Sequence, residues 1–199
     1  MITDINELDL NKKYTYADYL TWQFDEMVEL IRGKIFKMSP APSLHHQRIS
    51  RNLFLQVGNH LAEKRCEVFH APFDVRLPLS PEKQTADKVD TIVQPDICVV
   101  CDPAKLDDRG CSGAPDWIIE ILSKGTAQKD LNDKFELYQF AGVREYWVVH
   151  PHEGTVLAYV LDDQGRYQMI RRQPFYAPEK VPVASLPGFG VDLGVVFGE

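Results

Sequence analysis

The 199-residue sequence lacks an apolar run long enough to span a membrane, and its first residues lack the basic and apolar segments of a secretory signal. Both absences favour a cytoplasmic protein that does not associate with a membrane. An excess of positive charge is also absent, since 22 Lys and Arg residues stand against 29 Asp and Glu residues, a formal net charge of −7. This net charge argues against indiscriminate binding to phosphate backbones, and nucleic-acid binding would need a local basic patch or a metal ion.

Cysteine is scarce as well, with four residues at positions 66, 98, 101 and 111. In a cytoplasmic protein we expect reduced thiols. Cys98 and Cys101 have the C-x-x-C spacing, but they lie in a strand-like run where residues three apart point to opposite faces. No second C-x-x-C pair accompanies them, so the pattern favours small buried apolar residues over a zinc or redox site.

Neither a repeat nor a linker divides the chain, so we expect one domain over residues 1–199, with a core at about 14–150 and a β-rich extension at 151–199. Apolar spacing predicts three helices, at about 14–27 with Thr15 as N-cap, after Ser43, and after Thr126 up to Gly142. Strand-like runs occupy 28–31, 34–38, 67–77, 91–93, 97–101, 117–122, 145–149, 155–161 and 166–170. We interpret residues 102–114 as a loop and residues 186–193 as a segment that packs against the rest of the domain. The order predicts an α/β or α+β protein, a mixed sheet flanked by helices with a hairpin near the C-terminus.

A lone carboxylate, Glu120, interrupts the apolar run 117–122. Desolvating an unpaired carboxylate is costly, so Glu120 needs a cation, a proton or a metal. Asp116 precedes it by four residues, about 13 Å along a strand, which is too far to share one ion. Asp96, at the start of its own strand, is the better partner if the two strands are neighbours. Two carboxylates on adjacent strands suit magnesium, although Asp96 after Pro95 also suits a simple turn.

Three further charged residues are candidates for the same site. Lys134 lies at the edge of the apolar stripe of the third helix, from which its long stem could reach Glu120. A salt bridge to Asp130, four residues earlier, is the alternative. Lys124, just beyond the strand, is the rival lysine. Glu29, between Val28 and Leu30, is either a third acid of the site or an edge-of-sheet residue.

A basic cluster opens the second helix. His45, His46, Arg48 and Arg51 lie in its first two turns, where they could face phosphate. A solvated polar face explains the same pattern.

The motifs taken together, in order, resemble the Uma-type restriction-endonuclease family over residues 14–195. They are Val28-Glu29-Leu30-Ile31-x-Gly33, Met38-Ser39-Pro40, His46, Gln94-Pro95-Asp96-Ile97, Ile119-Glu120-Ile121-Leu122-Ser123, Asp130-x-x-x-Lys134-x-x-x-Tyr138 and Gly142-Val143-x-Glu145-Tyr146-Trp147-Val148-Val149.

The resemblance implies a restriction endonuclease-like fold of the PD-(D/E)xK superfamily and Mg²⁺-dependent hydrolysis of phosphodiester bonds, with Mn²⁺ as a substitute. It implies that Asp96, Glu120 and the carbonyl of Ile121 bind the metal, and that Glu29 matches the N-terminal acid. The family pattern has a lysine two residues after Glu120, but this sequence has Leu122 at that position. The resemblance therefore assigns the role of the catalytic lysine to Lys134. Arg32 and His150 also depart from the family pattern.

The leading interpretation is a cytoplasmic, magnesium-dependent DNA endonuclease, with Asp96, Glu120, Lys134 and Glu29 as catalytic residues and with His46, Arg48, Arg51 and Lys124 contacting DNA. Cutting both strands usually needs two active sites, which favours a homodimer. Leu122 and the net acidity support a second interpretation, an inactive nuclease fold that binds nucleic acid or protein. A third interpretation is a metal-free hydrolase that uses Asp96 and Glu120 as an acid/base pair. Nothing in the sequence indicates the aromatic cleft with which such enzymes bind sugars.

Overall fold

The computed structural model describes residues 2–38, 42–85, 87–123 and 127–198, with the backbone alone for residues 127–131. The helices in these ranges are α1 (Tyr16–Tyr19), α2 (Leu44–Leu61), α3 (Ala127–Ala141) and α4 (Leu193–Phe197). The strands are β1 (Val28–Ile31), β2 (Lys34–Lys37), β3 (Glu67–His70), β4 (Val75–Arg76), β5 (Ile92–Val93), β6 (Ile97–Val100), β7 (Leu106–Asp107), β8 (Gly110–Ser112), β9 (Trp117–Ile121), β10 (Glu145–His150), β11 (Thr155–Leu161), β12 (Tyr167–Met169), β13 (Phe175–Tyr176), β14 (Lys180–Pro182) and β15 (Gly190–Asp192). Short 3-10 helices cover Ile5–Glu7, Pro81–Lys83 and Pro103–Lys105.

The strands form two larger sheets and one hairpin. The main sheet has the order β12-β11-β10-β9-β6-β3, with β13 also paired to β11. Within it β9 and β10 are parallel, whereas β6 runs antiparallel to β9. The second sheet has the order β2-β1-β5-β4-β8-β7, and β14 pairs with β15. The result is the expected mixed α+β architecture.

The main sheet is covered on both faces. Trp117, Ile119 and Ile121 pack in one apolar cluster with the buried stripe of α2, whereas Ile118 packs in another with Leu137 of α3. Because side chains alternate along a strand, α2 and α3 lie on opposite faces of β9. Burial on both faces explains why the run 117–122 is apolar at every position but one.

The turn and cap residues behave as their chemistry predicts. The hydroxyl of Ser43 accepts from the backbone N–H of His46 and caps α2. Arg32 and Gly33, at φ 52° and 82°, form the two-residue turn between β1 and β2. Gly142 ends α3 at φ 84°.

The first helix is much shorter than predicted. Thr15 is its N-cap as expected, but α1 ends at Tyr19. The ring of Trp22 packs 5.2 Å from that of Tyr14, and its backbone forms a β-bridge with Ile2. These tertiary contacts hold the following residues outside the helix.

Two other stretches contain more structure than predicted. The expected loop 102–114 contains β7 and β8, which extend the second sheet. The C-terminal tail forms β15 and α4, and Val191, Leu193 and Val196 belong to the same core cluster as α2.

The expectation of four reduced thiols is wrong for two of them. Cys66 and Cys101 form a disulfide, with Cα atoms 3.9 Å apart. They stand beside the paired residues Glu67 and Val100, so strand pairing brings them opposite each other. Cys98 and Cys111 are free and buried, as expected. None of the helices in the described ranges combines the length and the apolar character needed to cross a membrane.

Candidate active site

The candidate site lies where the two larger sheets meet. Residues 94–96 connect β5 of the second sheet to β6 of the main sheet. Because β6 is antiparallel to β9, with Ile97 opposite Ile119, the start of β6 lies beside the end of β9. There the backbone N–H of Ile121 donates to Oδ2 of Asp96 at 2.7 Å. The expected proximity of Asp96 to the Glu120 segment follows from this strand pairing.

Glu120 is buried on the α3 face of β9. Its Oε1 accepts from Nζ of Lys134 at 3.0 Å and from the hydroxyl of Tyr138 at 2.7 Å. Lys134 and Tyr138 are four residues apart on α3, so both point to the same side of the helix. The strand supplies the carboxylate and one helix face supplies two of its donors.

Glu29 comes from the second sheet to the same lysine. Its Oε1 accepts from Nζ of Lys134 at 3.0 Å and from the backbone N–H of Gln94 at 2.9 Å. β1 lies between β2 and β5, so Glu29 is not at a sheet edge. Lys134 is thus shared by two buried acids. The alternative partner, Asp130, lies outside the described side chains.

Burial and charge set the protonation of this cluster. Burial lowers the pKa of Lys134, but the carboxylates of Glu120 and Glu29 outweigh that effect and raise it above its ordinary value. Burial raises the pKa of Glu120; the Lys134 ammonium opposes this shift, and the charges of Asp96 and Glu29 add to it. Lys134 is therefore firmly cationic, and it is the group that keeps two acids tolerable in a buried site.

His46 enters from the opposite face, on α2. Its side chain is only 11% exposed, so it does not belong to a solvated helix face. Nε2 donates to the carbonyl of Ile121 at 3.1 Å and lies 3.5 Å from Oδ1 of Asp96. Burial lowers the pKa of His46, but its contacts with Asp96 and with the Ile121 carbonyl outweigh burial and raise it.

Arg48, Arg51 and His45 do not take part in this cluster. Arg48 and Arg51 are exposed on α2, and Arg51 donates to the neighbouring Asn52. His45 contacts the carbonyl of Pro151. Lys124 lies outside the described residues.

Asp116 occupies the other end of β9. Its Oδ2 accepts from the backbone N–H of Cys101 at 2.8 Å, and its Oδ1 lies 3.5 Å from Arg144. It takes no part in the cluster around Glu120, which agrees with its exclusion on distance.

Sequence reasoning missed the roles of two polar groups. Tyr138 enters the sequence argument only as the last residue of the Lys134-x-x-x-Tyr138 motif, yet its hydroxyl donates to Glu120. Its spacing of four from Lys134, which places both side chains on one helix face, was the available signal. The second is the backbone N–H of Gln94, which fixes Glu29 and has no side-chain signature.

The donor atoms at the junction suit a hard divalent cation. In the part of the chain that the structure describes, no three His, Cys, Asp or Glu side chains form a ready-made cation cluster. Instead, a carboxylate of Asp96 lies beside the main chain of Ile121, and Glu120 immediately precedes that residue. Mg²⁺ commonly binds through one or two carboxylates and a carbonyl while keeping several waters, so this sparse set fits.

Comparison with known proteins places the chain among its relatives. The sequence model of the Uma2 family, described as "Putative restriction endonuclease", matches residues 16–194. The chain belongs to the Uma2 family. This confirms the family expected from the motifs.

Two relatives of this Uma2 protein come from Synechocystis sp. (strain ATCC 27184 / PCC 6803 / Kazusa). The uncharacterized protein slr1290 is 25% identical over 185 residues, which cover 91% of this chain and 90% of the relative. The uncharacterized protein sll1609 is 28% identical over 143 residues, 69% of this chain and 75% of the relative.

A solved structure shares the fold of this Uma2 chain. It is described as "a putative nuclease belonging to DUF820" from Anabaena variabilis ATCC 29413, and it aligns with a TM-score of 0.71 at 21% identity. The alignment covers 92% of this chain and 97% of that one. The expected restriction endonuclease-like fold is thereby confirmed.

Proposed function

We propose that this Uma2 protein is a divalent-cation-dependent endonuclease that hydrolyses DNA phosphodiester bonds at the junction of β6 and β9. The observation that carries the proposal is the hydrogen bond from the N–H of Ile121 to Asp96. It fixes one carboxylate beside the strand end that bears the second, Glu120. A lysine ammonium stands within hydrogen-bond distance of Glu120.

Asp96, Glu120 and the carbonyl of Ile121 would hold Mg²⁺ or Mn²⁺. A bound cation of this kind polarises a phosphate and lowers the pKa of a bound water. Asp96 would keep its anchor when it binds the cation through Oδ1, because Oδ2 accepts from the N–H of Ile121, whereas Oδ1 lies 3.5 Å from Nε2 of His46.

Lys134 and Glu29 supply the remaining chemistry. The ammonium of Lys134 orients the attacking water and balances the negative charge that develops on the phosphate. Glu29 assists by holding Lys134 in place, since it accepts from Nζ and is itself fixed by Gln94. Lys124 remains the rival for this lysine role.

DNA would meet the site from the exposed side of α2. Arg48 and Arg51 are the exposed cations of its first turns, and they would give a protein of net charge −7 its local phosphate contacts.

Calorimetry and plasmid cleavage test the proposal together. In the presence of Mg²⁺ or Mn²⁺ we expect wild-type protein to bind the cation and to nick or linearise plasmid DNA. Asp96→Asn and Glu120→Gln should each abolish cleavage and weaken cation binding.

Asp116→Asn is the matched control. Asp116 also accepts one backbone N–H from the neighbouring strand, as Asp96 does, but at the other end of β9. We expect it to keep both cation binding and cleavage. Absence of cation binding and of cleavage in the wild type would overturn the proposal.

Two other outcomes identify the competing functions. Equal DNA binding by wild type and by the Asp96→Asn/Glu120→Gln double variant, with no cleavage by either, would indicate an inactive nuclease fold used for binding. Cleavage that persists in EDTA would indicate a metal-free hydrolase.

A further inference from the structure

We infer that a cleft beside the candidate active site binds one unpaired guanine base of the DNA strand. The inference rests on the proposed function, because it names a feature of the substrate of that same site. The cleft lies between residues 72–74, Gln94 and the turn at 107–110. Its volume is about 330 Å³, which falls within the range of small-ligand sites, about 300–1,000 Å³.

Gln94 is shared by the cleft and the candidate active site. Its backbone N–H donates to Glu29, and its side chain lines the cleft. Asp96 follows two residues later, which is at most about 7 Å along the backbone. One nucleotide can therefore place its base in the cleft and its phosphate at the junction of β6 and β9.

The side-chain amide of Gln94 has an acceptor that the described residues leave unused. The residue is only 8% exposed. Nε2 donates to Oδ1 of Asp74 at 2.8 Å and to the hydroxyl of Tyr19 at 3.2 Å, whereas Oε1 is buried without a hydrogen-bond partner. Because Asp74 also lines the cleft, the amide lies at the cleft wall. A buried acceptor without a donor is costly, and a ligand in the cleft would supply that donor.

Asp74 provides a second acceptor on the same wall. Its two side-chain donors, Tyr19 and Gln94, both bind Oδ1, so among the described residues Oδ2 accepts no hydrogen bond. The backbone of Asp74 is fixed, since its carbonyl accepts from the N–H of Cys111 at 2.9 Å. At Gly110, a Cβ would lie 2.2 Å from that carbonyl oxygen, so the turn can approach Asp74 only because it has a glycine there.

The cleft chemistry selects guanine among the bases. Guanine has adjacent N–H donors at N1 and N2, which suit the oxygens of Gln94 and Asp74, and acceptors at O6 and N7 on its other edge. Arg109 is an exposed residue of the cleft, and arginine binds O6 and N7 with two hydrogen bonds. Phe73, stacked 4.2 Å from Phe69, adds an aromatic surface on which a base can stack. An arginine and an aromatic ring also favour a base over a simple cation as the occupant.

The base must be unpaired to bind in this way. The N1 and N2 donors of guanine face cytosine in a duplex, so the guanine must come from a single strand or be extruded from the helix. The inferred substrate is therefore a strand with an unpaired guanine next to the scissile phosphate.

Fluorescence anisotropy of the full-length protein in EDTA tests the inference without cleavage. The probes are labelled single-stranded oligothymidylates, either plain or with one central dG, dI, dA or dC. We expect the dG probe to bind about tenfold more tightly than the plain one, since a good bidentate contact discriminates by about this factor. The dI probe lacks the N2 amino group and should lose most of that gain.

Two variants assign the preference to the cleft. Asp74→Asn keeps an oxygen for Gln94 and Tyr19 but places an amide donor opposite the donors of guanine. It should lose the dG preference and bind the plain probe as the wild type does. Arg109→Ala should reduce the preference. If Asp74→Asn fails to fold, the comparison of dG with dI in the wild type still decides the question.

Tyr19→Phe and Arg144→Ala are the matched controls. Tyr19→Phe removes one donor to Asp74 and leaves its carboxylate in place. Arg144→Ala removes an exposed arginine near Asp116, at the other end of β9. Both variants should keep the dG preference, and equal losses in Tyr19→Phe and Asp74→Asn would overturn the role of the carboxylate.

The outcomes separate this inference from the proposed function. Equal binding of all probes, with plasmid still cleaved in Mg²⁺, would overturn the guanine cleft and leave the nuclease proposal standing. A dG preference that Asp74→Asn removes, with neither cation binding nor cleavage, would support the cleft and overturn the nuclease. Spermidine binding that Asp74→Asn abolishes, without any preference among the probes, would show a site for cations instead and overturn the inference.

Discussion

Nζ of Lys134 lies 3.0 Å from Oε1 of Glu29, although the two residues are 105 positions apart in the sequence. Lys134 belongs to a helix on the main sheet and Glu29 to the second sheet. The same ammonium lies 3.0 Å from Oε1 of Glu120. One lysine therefore joins the two sheets and is shared by Glu29 and Glu120, so stability and activity should both depend on it.

Removing that ammonium should destabilise the protein. Lys134→Met leaves Glu29 and Glu120 buried without their shared cation, and breaking such a buried pair typically costs about 3–5 kcal/mol. We expect a loss of about 3 kcal/mol in the free energy of unfolding by urea titration, together with loss of DNA cleavage. Adding Glu29→Gln should recover part of the stability but not the activity.

Glu136→Gln serves as the control for this prediction, because Glu136 is exposed on the same helix and should change stability by no more than about 0.5 kcal/mol. A loss below about 1 kcal/mol in Lys134→Met would contradict the central role given to this ion pair.

The hydroxyl of Tyr138 should contribute to stability and to cation binding, whereas the hydroxyl of Tyr146 should contribute to neither. Tyr138 donates to Glu120, whereas the hydroxyl of Tyr146 is buried with no hydrogen-bond partner among the described residues. The two rings lie 5.2 Å apart in the same aromatic cluster. Tyr138→Phe should lower the free energy of unfolding by about 1–2 kcal/mol and weaken cation binding, because Glu120 loses a donor that favours its charged form. Tyr146→Phe should be neutral or stabilising, and equal effects of the two changes would refute the assignment.

The pattern of the sequence was sufficient to single out the buried carboxylate of Glu120 and to predict most of the core elements. Glu120 stands out because a strand covered on both faces tolerates few charges, and this is a local signal. The pairing of β6 with β9 then places Asp96 beside it, as the order of the strands suggested. Ser43 likewise marks the start of α2 through cap chemistry alone.

Contacts made only by tertiary packing were not predictable in the same way. The sequence predicts a helix up to about residue 27, but Trp22 packs against Tyr14, a contact that helix propensity does not determine. The sequence around His46 favours a polar helix surface, because no neighbouring residue indicates that the end of β9 packs against it. The Cys66–Cys101 bond depends on the register of β3 against β6, which a cysteine count does not reveal.

The disulfide should contribute measurably to stability. It closes a loop with a sequence separation of 35 residues, for which chain entropy gives a contribution of about 4 kcal/mol. Dithiothreitol should lower the free energy of unfolding by this amount in the wild type and have no further effect on Cys66→Ser. Iodoacetamide on denatured, unreduced protein should modify Cys98 and Cys111 alone. Modification of all four cysteines before reduction would show that the bond is absent.

Arg48 and Arg51 should determine how DNA binding depends on salt. Each phosphate contact contributes about 0.9 to the slope of log affinity against log salt, so Arg48→Ala/Arg51→Ala should reduce the magnitude of the slope by about 2. Fluorescence anisotropy in EDTA, which separates binding from metal-dependent cleavage, measures this for a duplex. Arg65→Ala is the control for charge, since Arg65 is exposed beyond the other end of α2 and lies 3.9 Å from Asp102.

If all variants share the wild-type slope, DNA does not run along the first turns of α2, and the phosphate contacts must come from another surface. If the arginine pair alone changes the slope while cation binding is unaffected, the basic turns and the buried site have separate tasks: one holds the backbone and the other breaks it.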